Sequence, residues 1–231
     1  IKLRGQDILG IRLENTIGLV LKNETHKTVS AGIEYSELIY RDANGKPVRA
    51  YVLSMEKGAG TLYTGTPSDG TVLQGKVSNV VNQMKAADAN GKNTIAGINA
   101  DFFDMGGTCL PRGLCVKNGT LLTPAASRPW FAVRADGSYV LGNGVSDYNK
   151  LNADGSILNA VGGSDILIMN GKVQSISTND FSTIRHPRTA VGYDDSGKVY
   201  LRVVDGRQPS ISNGASLADL AEIFISLGCT N

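Results

Sequence analysis

Six side chains able to bind or transfer charge fall within one short stretch, Arg185–Gln208. Arg185, His186 and Arg188 sit at the head of a run rich in Val and Tyr, and Asp205, Arg207 and Gln208 sit at the tail of a second such run. Asp194-Asp195-Ser196-Gly197 between them is turn chemistry, so the stretch is predicted as a β-hairpin with strands over Thr189–Tyr193 and Lys198–Val204. A simple four-residue turn sets His186 opposite Asp205 and Arg188 opposite Val203, which gathers the six polar groups at one end of the hairpin. Such a cluster is either a solvated hairpin end with scattered ion pairs or a site, and other segments must decide. Asn99 and Asp101 are the second candidate pair. They follow a short apolar run, Thr94–Ile98, and precede two aromatics. A buried strand ending on Asn and Asp can hold a carboxylate at a sheet edge; equally, the two residues can cap or turn the chain as it leaves the strand.

Composition narrows the functions open to these groups. The 231 residues are 41% hydrophobic and 19% charged, with a net charge of +2. That balance gives no electrostatic footprint for nucleic acid or an anionic membrane. No apolar run approaches the length of a transmembrane helix. Ile1-Lys2-Leu3-Arg4 is neither an initiator nor a signal peptide, so the expectation is a chain that begins after a removed leader, or a fragment. Cys109 and Cys115 are close enough for a small-loop disulfide in an exported protein; the alternative is buried free thiols. With His26 and His186 the only histidines and no Cys-x-x-Cys, a zinc site lacks ligands at the usual spacing.

The elements that must position the candidates are mostly short strands, as 28 glycines imply. Ile8–Glu14 and Thr16–Leu21 read as strands. Glu34–Arg41 and Val48–Met55 alternate about Asn44-Gly45, a strong hairpin signal. Thr71–Ala89 carries Leu73, Val77, Val80, Val81, Met84 and Ala87 at helical spacing and is predicted as a helix. Ser216–Leu227 is a second, with Ser216 as N-cap, Asp219 completing a capping box, and Gly228 as its stop. Leu151–Ala160 reads as a hairpin about Asp154-Gly155. A hairpin–loop–hairpin unit recurs: Gly113–Leu122 with Asn118-Gly119, then Arg128-Pro129-Trp130; and Ile166–Val173 with Asn170-Gly171, then His186-Pro187-Arg188. Trp130 stands where Arg188 stands in the second copy, so the first copy reads as structural and the second as chemical. The expected fold is α+β, a strand-rich mixed or antiparallel sheet with few helices and a pseudo-duplicated hairpin unit. Residues 1–231 are read as one domain, with 1–34 an N-terminal strand extension.

Three motifs in this order resemble the phosphodiester glycosidase family: Gly97-Ile-Asn-Ala-Asp-Phe-Phe103, His186-Pro-Arg-Thr-Ala-Val-Gly192 and Val204-Asp-Gly-Arg-Gln208. The Ser216–Gly228 helix is similar too, and the likeness runs from about Tyr35 to Asn231. Ala100 replaces the family's usual Gly. The family's Asn-Leu-Asp-Gly-Gly-Gly-Ser motif would follow Asn231, so the C-terminal end is expected to be incomplete. The resemblance implies an exported, bacterial hydrolase that cleaves a sugar-1-phosphodiester in a phosphoglycan. It further implies Arg188 and Arg207 as phosphate clamps, and Asp101 and Asp205 as the carboxylates acting at the anomeric carbon. His186 becomes a proton donor, and Asn99 and Gln208 orient the substrate. No cofactor is expected: Asp101 and Asp205 suit part of a Ca2+ or Mg2+ site, but the ligand count is short. The rival expectations are a non-catalytic carbohydrate- or phosphoglycan-binding module, and a structural envelope domain in which Arg188 and Asp205 form a buried ion pair.

Overall fold

The computed structural model describes residues 19–231; the predicted strand Ile8–Glu14 and the first half of Thr16–Leu21 lie outside them. In chain order the elements are β1 (Val20–Ser30), β2 (Ile33–Arg41), β3 (Pro47–Met55), α1 (Val80–Ala89), β4 (Cys115–Lys117), β5 (Thr120–Thr123), β6 (Pro129–Arg134) and β7 (Tyr139–Asn143). Then follow α2 (Gly144–Leu151), β8 (Ile157–Gly162), β9 (Ile168–Met169), β10 (Lys172–Val173), α3 (Asp180–Thr183), β11 (Arg188–Tyr193), β12 (Val199–Val204) and α4 (Leu217–Ser226). The fold is α+β and strand-rich, with antiparallel pairing in its sheets. Two compact units emerge: Leu167–Asn231 with the described part of Ile1–Ala59, and Gly60–Ile166. In sequence, the second is inserted between β3 and β9.

The first unit is built on a five-stranded sheet in the order β1-β2-β3-β12-β11. Alternation decides its core: Val48, Ala50 and Val52 of β3 point to one face with Leu38, Tyr40, Tyr200 and Val204, and α4 covers that face with Leu217, Leu220, Ile223 and Phe224. Arg202 shares this buried face, with its guanidinium 5.9 Å from the Tyr40 ring. The helix starts as its capping box predicts: Ser216 Oγ accepts from the Asp219 N–H at 3.1 Å, and the Asp219 carboxylate accepts from the Ser216 N–H at 2.9 Å.

The second unit has its own five-stranded sheet, β5-β4-β8-β6-β7. Leu114, Val116, Trp130, Ala132, Ile157 and Ala160 form its core, and Tyr148 and Leu151 of α2 pack against it. Each unit therefore holds one copy of the repeated hairpins. Asn118-Gly119 and Asn170-Gly171 turn their strands with both residues at positive φ, the conformation that favours this dipeptide in a tight hairpin.

Four expectations change. The helix expected over Thr71–Ala89 begins only at Val80, because Gly75 takes a φ of 72° and the Asn79 side chain caps the chain by accepting from the Asn82 N–H at 2.8 Å. Val77 and Val81 are exposed rather than core. Thr94–Ile98 forms no strand and is largely exposed. Residues 144–151 are helical, and the predicted Leu151–Ala160 hairpin is a turn that feeds β8: Asn152 Oδ1 accepts from the Ile157 N–H at 2.9 Å. Last, the Arg185–Gln208 hairpin is shifted by one residue, pairing Arg188 with Val204. Asp194 Oδ1 accepts from the N–H groups of both Ser196 and Lys198, at 2.9 and 3.1 Å, and so closes a five-residue turn instead of four. All three cysteines are free thiols; burial pushes Cys115 up to about 11 and Cys229 to about 12.

Candidate active site

Asn99 and Asp101 belong to the second unit, and His186, Arg188, Asp205, Arg207 and Gln208 to the first. Asn99 is exposed, whereas the Asp101 side chain is only 4% exposed. Asp101 Oδ1 accepts from Arg128 Nη2 at 2.9 Å and from the Phe102 N–H at 2.7 Å. Oδ2 is buried without a hydrogen-bond partner. It lies against two glycines: a Cβ added to Gly113 would come within 2.8 Å of it, and one on Gly162 would come closer still. Any side chain at either position would displace the carboxylate, so glycine there is a packing requirement of this site.

At the hairpin end of the first unit, main-chain geometry dominates. Residues 186 and 187 run between Gly206 and Gly214, where an added Cβ would come 2.5 Å from Pro187 N and 2.6 Å from the His186 carbonyl oxygen. His186 pairs through its backbone with Ala215, while its Nδ1 is buried and has no hydrogen-bond partner. Arg188 is buried. Its Nε donates to the Ala215 carbonyl at 3.0 Å, and its Nη2 donates to the carbonyls of Ile184, at 3.0 Å, and Phe181. The expected phosphate clamp thus has these donors occupied by the main chain, because the strand directs its side chain inward under the 181–184 turn. Asp205 is half-buried and accepts from the Tyr51 hydroxyl at 3.1 Å. The Tyr51 phenol is held above its ordinary value by burial and by the Asp205 charge, against the pull of Arg49. Ser212 locks the corner: its Oγ donates to the Asp205 carbonyl at 2.6 Å and accepts from the Arg49 N–H at 2.9 Å. Arg207 and Gln208 are exposed, and Arg207 takes a φ of 60°.

Comparison with known proteins bears on this arrangement. The family model for phosphodiester glycosidases matches residues 92–231, more than half of the chain and all seven candidate residues. The chain belongs to the phosphodiester glycosidase family. Among solved structures, its fold is similar to the catalytic domain of zebrafish N-acetylglucosamine-1-phosphodiester α-N-acetylglucosaminidase auto-inhibited by its pro-peptide, with a TM-score of 0.68 and 19% identity over 91% of this chain and 74% of that one. A hypothetical protein from Synechocystis gives 0.66 at 15% identity, over 91% of this chain and 57% of that one. A protein of Burkholderia pseudomallei K96243 named as a candidate exported protein gives 0.53 at 13% identity, over 92% and 89%. At these identities the likeness is one of fold. No curated protein matches the chain.

In this member of the family, two polar groups beside the candidate carboxylates were not named by sequence reasoning: Tyr51 next to Asp205 in the first unit and Arg128 next to Asp101 in the second. Arg128 carried a signal: it holds in the first repeat the place that His186 holds in the second. Tyr51 had none, since its approach to Asp205 depends on β3 pairing with β12. Among the described residues no group of three or more His, Cys, Asp or Glu gathers as a metal site, and no helix is long and apolar enough to cross a membrane.

Proposed function

We propose that this chain is an exported hydrolase that cleaves the bond between an anomeric carbon and a phosphodiester in a phosphoglycan. The observation that carries the proposal is the family match, which spans both carboxylates. The zebrafish relative's name makes N-acetylglucosamine the first sugar to try, and the named export of the Burkholderia neighbour supports the location. In this reading Asp205 is the carboxylate acting at the anomeric carbon, because it is half open and the Tyr51 hydroxyl that donates to it holds it in one orientation. A phosphodiester is a better leaving group than an alkoxide, so His186 need be only a modest proton donor. Arg207 and Gln208 are exposed and available to the substrate. Arg188 holds the 181–184 turn and Ala215 in place and acts by positioning.

The test is turnover of a panel of sugar-1-phosphodiesters. The wild-type chain should release the phosphoester, and Asp205→Asn should lose about a hundredfold or more in kcat while still binding the substrate. Binding of phosphoglycan without turnover by the wild type would replace the hydrolase with a carbohydrate-binding module.

A further inference from the structure

We propose, resting on that phosphodiester reading, that Arg128 of the second unit is a phosphate-binding residue and that Asp101 and Phe102 hold it in place for that contact. Asp101 reaches only its immediate neighbours. Its carboxylate is sealed: Oδ1 is held by Arg128 and by the Phe102 N–H, and Oδ2 is closed in by Gly113 and Gly162. A carboxylate closed on both oxygens is poorly placed to attack or to take a proton. It is well placed to hold a cation in one orientation, since a buried charge must be paired.

Arg128 is the open half of the pair. Its side chain is 27% exposed. One edge is pinned by the 2.9 Å bond from Nη2 to Asp101, and its guanidinium carbon lies 5.8 Å from the centre of the Phe102 ring, itself 54% exposed. Its backbone is fixed as well: the Arg128 carbonyl accepts from the Gly144 N–H at 3.0 Å and its N–H donates to Ala126 at 2.7 Å. A guanidinium has five N–H groups in a rigid fork. One meets Asp101, Nε is buried and unpartnered, and the Nη1 donors form no hydrogen bond and are not buried. An arginine already held on one edge and beside an aromatic face loses little freedom when its outer donors take up a phosphate oxygen pair. A merely structural lid over Asp101 would need no such display.

The test separates phosphate recognition from stability and from turnover. Affinities for N-acetylglucosamine 1-phosphate and for N-acetylglucosamine are measured by calorimetry on the wild-type chain and on the neutral double variant Asp101→Asn with Arg128→Gln, which removes both charges and leaves no buried carboxylate unpaired. The wild type should prefer the sugar phosphate, and the double variant should lose about tenfold to a hundredfold of that preference, the worth of a hydrogen bond to a charged group, with affinity for the free sugar unchanged. An unchanged preference in a cooperatively melting variant, or no preference in the wild type, overturns the proposal. Without any substitution, N-acetylglucosamine 1-phosphate should protect Arg128 from phenylglyoxal, read by mass spectrometry, and the free sugar should not; equal modification in both also overturns it. Turnover of the methyl phosphodiester of N-acetylglucosamine 1-phosphate judges the reaction separately. Preference without turnover sinks the hydrolase and keeps Arg128, whereas turnover with preference unchanged in the double variant does the reverse.

Discussion

Lys117 and Asp69 show how much a single buried pair can carry. Their side chains are 4% and 5% exposed, and Lys117 Nζ lies 2.5 Å from Asp69 Oδ1. The ammonium also donates to the Thr64 carbonyl at 2.9 Å and sits 4.1 Å from the Tyr63 ring centre, while Asp69 accepts from the Tyr63 hydroxyl and from Asn90 Nδ2, both at 3.0 Å. One lysine on β4 thus ties down the 64–69 loop and the end of α1. Lys117→Met leaves a buried carboxylate without its cation and should cost about 3–5 kcal/mol in urea unfolding. Adding Asp69→Asn should restore much of that loss, because an amide tolerates burial once hydrogen-bonded. A loss under about 1 kcal/mol for the single change, the scale of a surface pair, would mean the pair is not buried in solution.

At the scale of elements, α4 connects the core to the hairpin end. Its capping residue Asp219 also receives Arg185, whose Nη1 lies 3.0 Å from Oδ2 and donates to the Gly214 carbonyl at 3.1 Å. The same carboxylate therefore starts a helix and anchors the residue before His186. Ser216→Ala removes the Oγ acceptor and should destabilise the chain by about 1 kcal/mol, measured as a shift in the urea midpoint at constant slope. No shift would show that Asp219 and Arg185 hold the helix start without the serine. On the other side of the helix, Phe224 lies against Gly192 of β11, where an added Cβ would come within 2.6 Å of the ring. Helix, strand and candidate site are thus fitted to one another through glycine.

The whole molecule should be acid-sensitive, with at least one lowered carboxyl in each unit: Asp42 in the first, and Asp69 together with Asp104 and the exposed Asp154 in the second. Burial alone would raise the carboxyl of Asp42, but hydrogen bonds from Asn213, Lys46 and Asn44 and the Arg185 charge outweigh it and leave the group below its ordinary value. Burial likewise opposes the Lys117, Asn90 and Tyr63 hydrogen bonds at Asp69, and again the bonds win. A carboxyl lowered on folding stabilises the protein above its unfolded value, and that stability is lost as pH falls through the folded one. Stability should therefore be level near neutrality and fall below about pH 4. Asp42→Asn with Asp69→Asn should flatten that acid slope in melting curves taken across pH. A wild-type melting point unchanged from about pH 6 to pH 3 would contradict the lowered values.

Much of this was local chemistry, and local chemistry is written in sequence. Asn44-Gly45, Asn118-Gly119 and Asn170-Gly171 turn hairpins because a dipeptide that tolerates positive φ needs no distant partner. The Ser216 capping box lies within four residues, and the family motifs need only order and spacing. Other features escaped because more than one outcome was locally permissible. The 194–198 turn accommodates four residues or five, and Asp194 Oδ1 chose five by gathering donors. Thr71–Ala89 had helical spacing throughout, yet Gly75 and Asn79 shortened the helix. Arg128 and Asp101 stand 27 residues apart, and nothing in either one's surroundings names the other. Only the close passage of Gly113 and Gly162 behind the carboxylate seals it and commits its charge to the arginine. The sequence by itself determined the family, the α+β class and the Asn-Gly hairpins; which carboxylate stays open and which is sealed against an arginine was decided by tertiary burial, since a charge taken out of water must bind whatever cation or donor the fold brings to it.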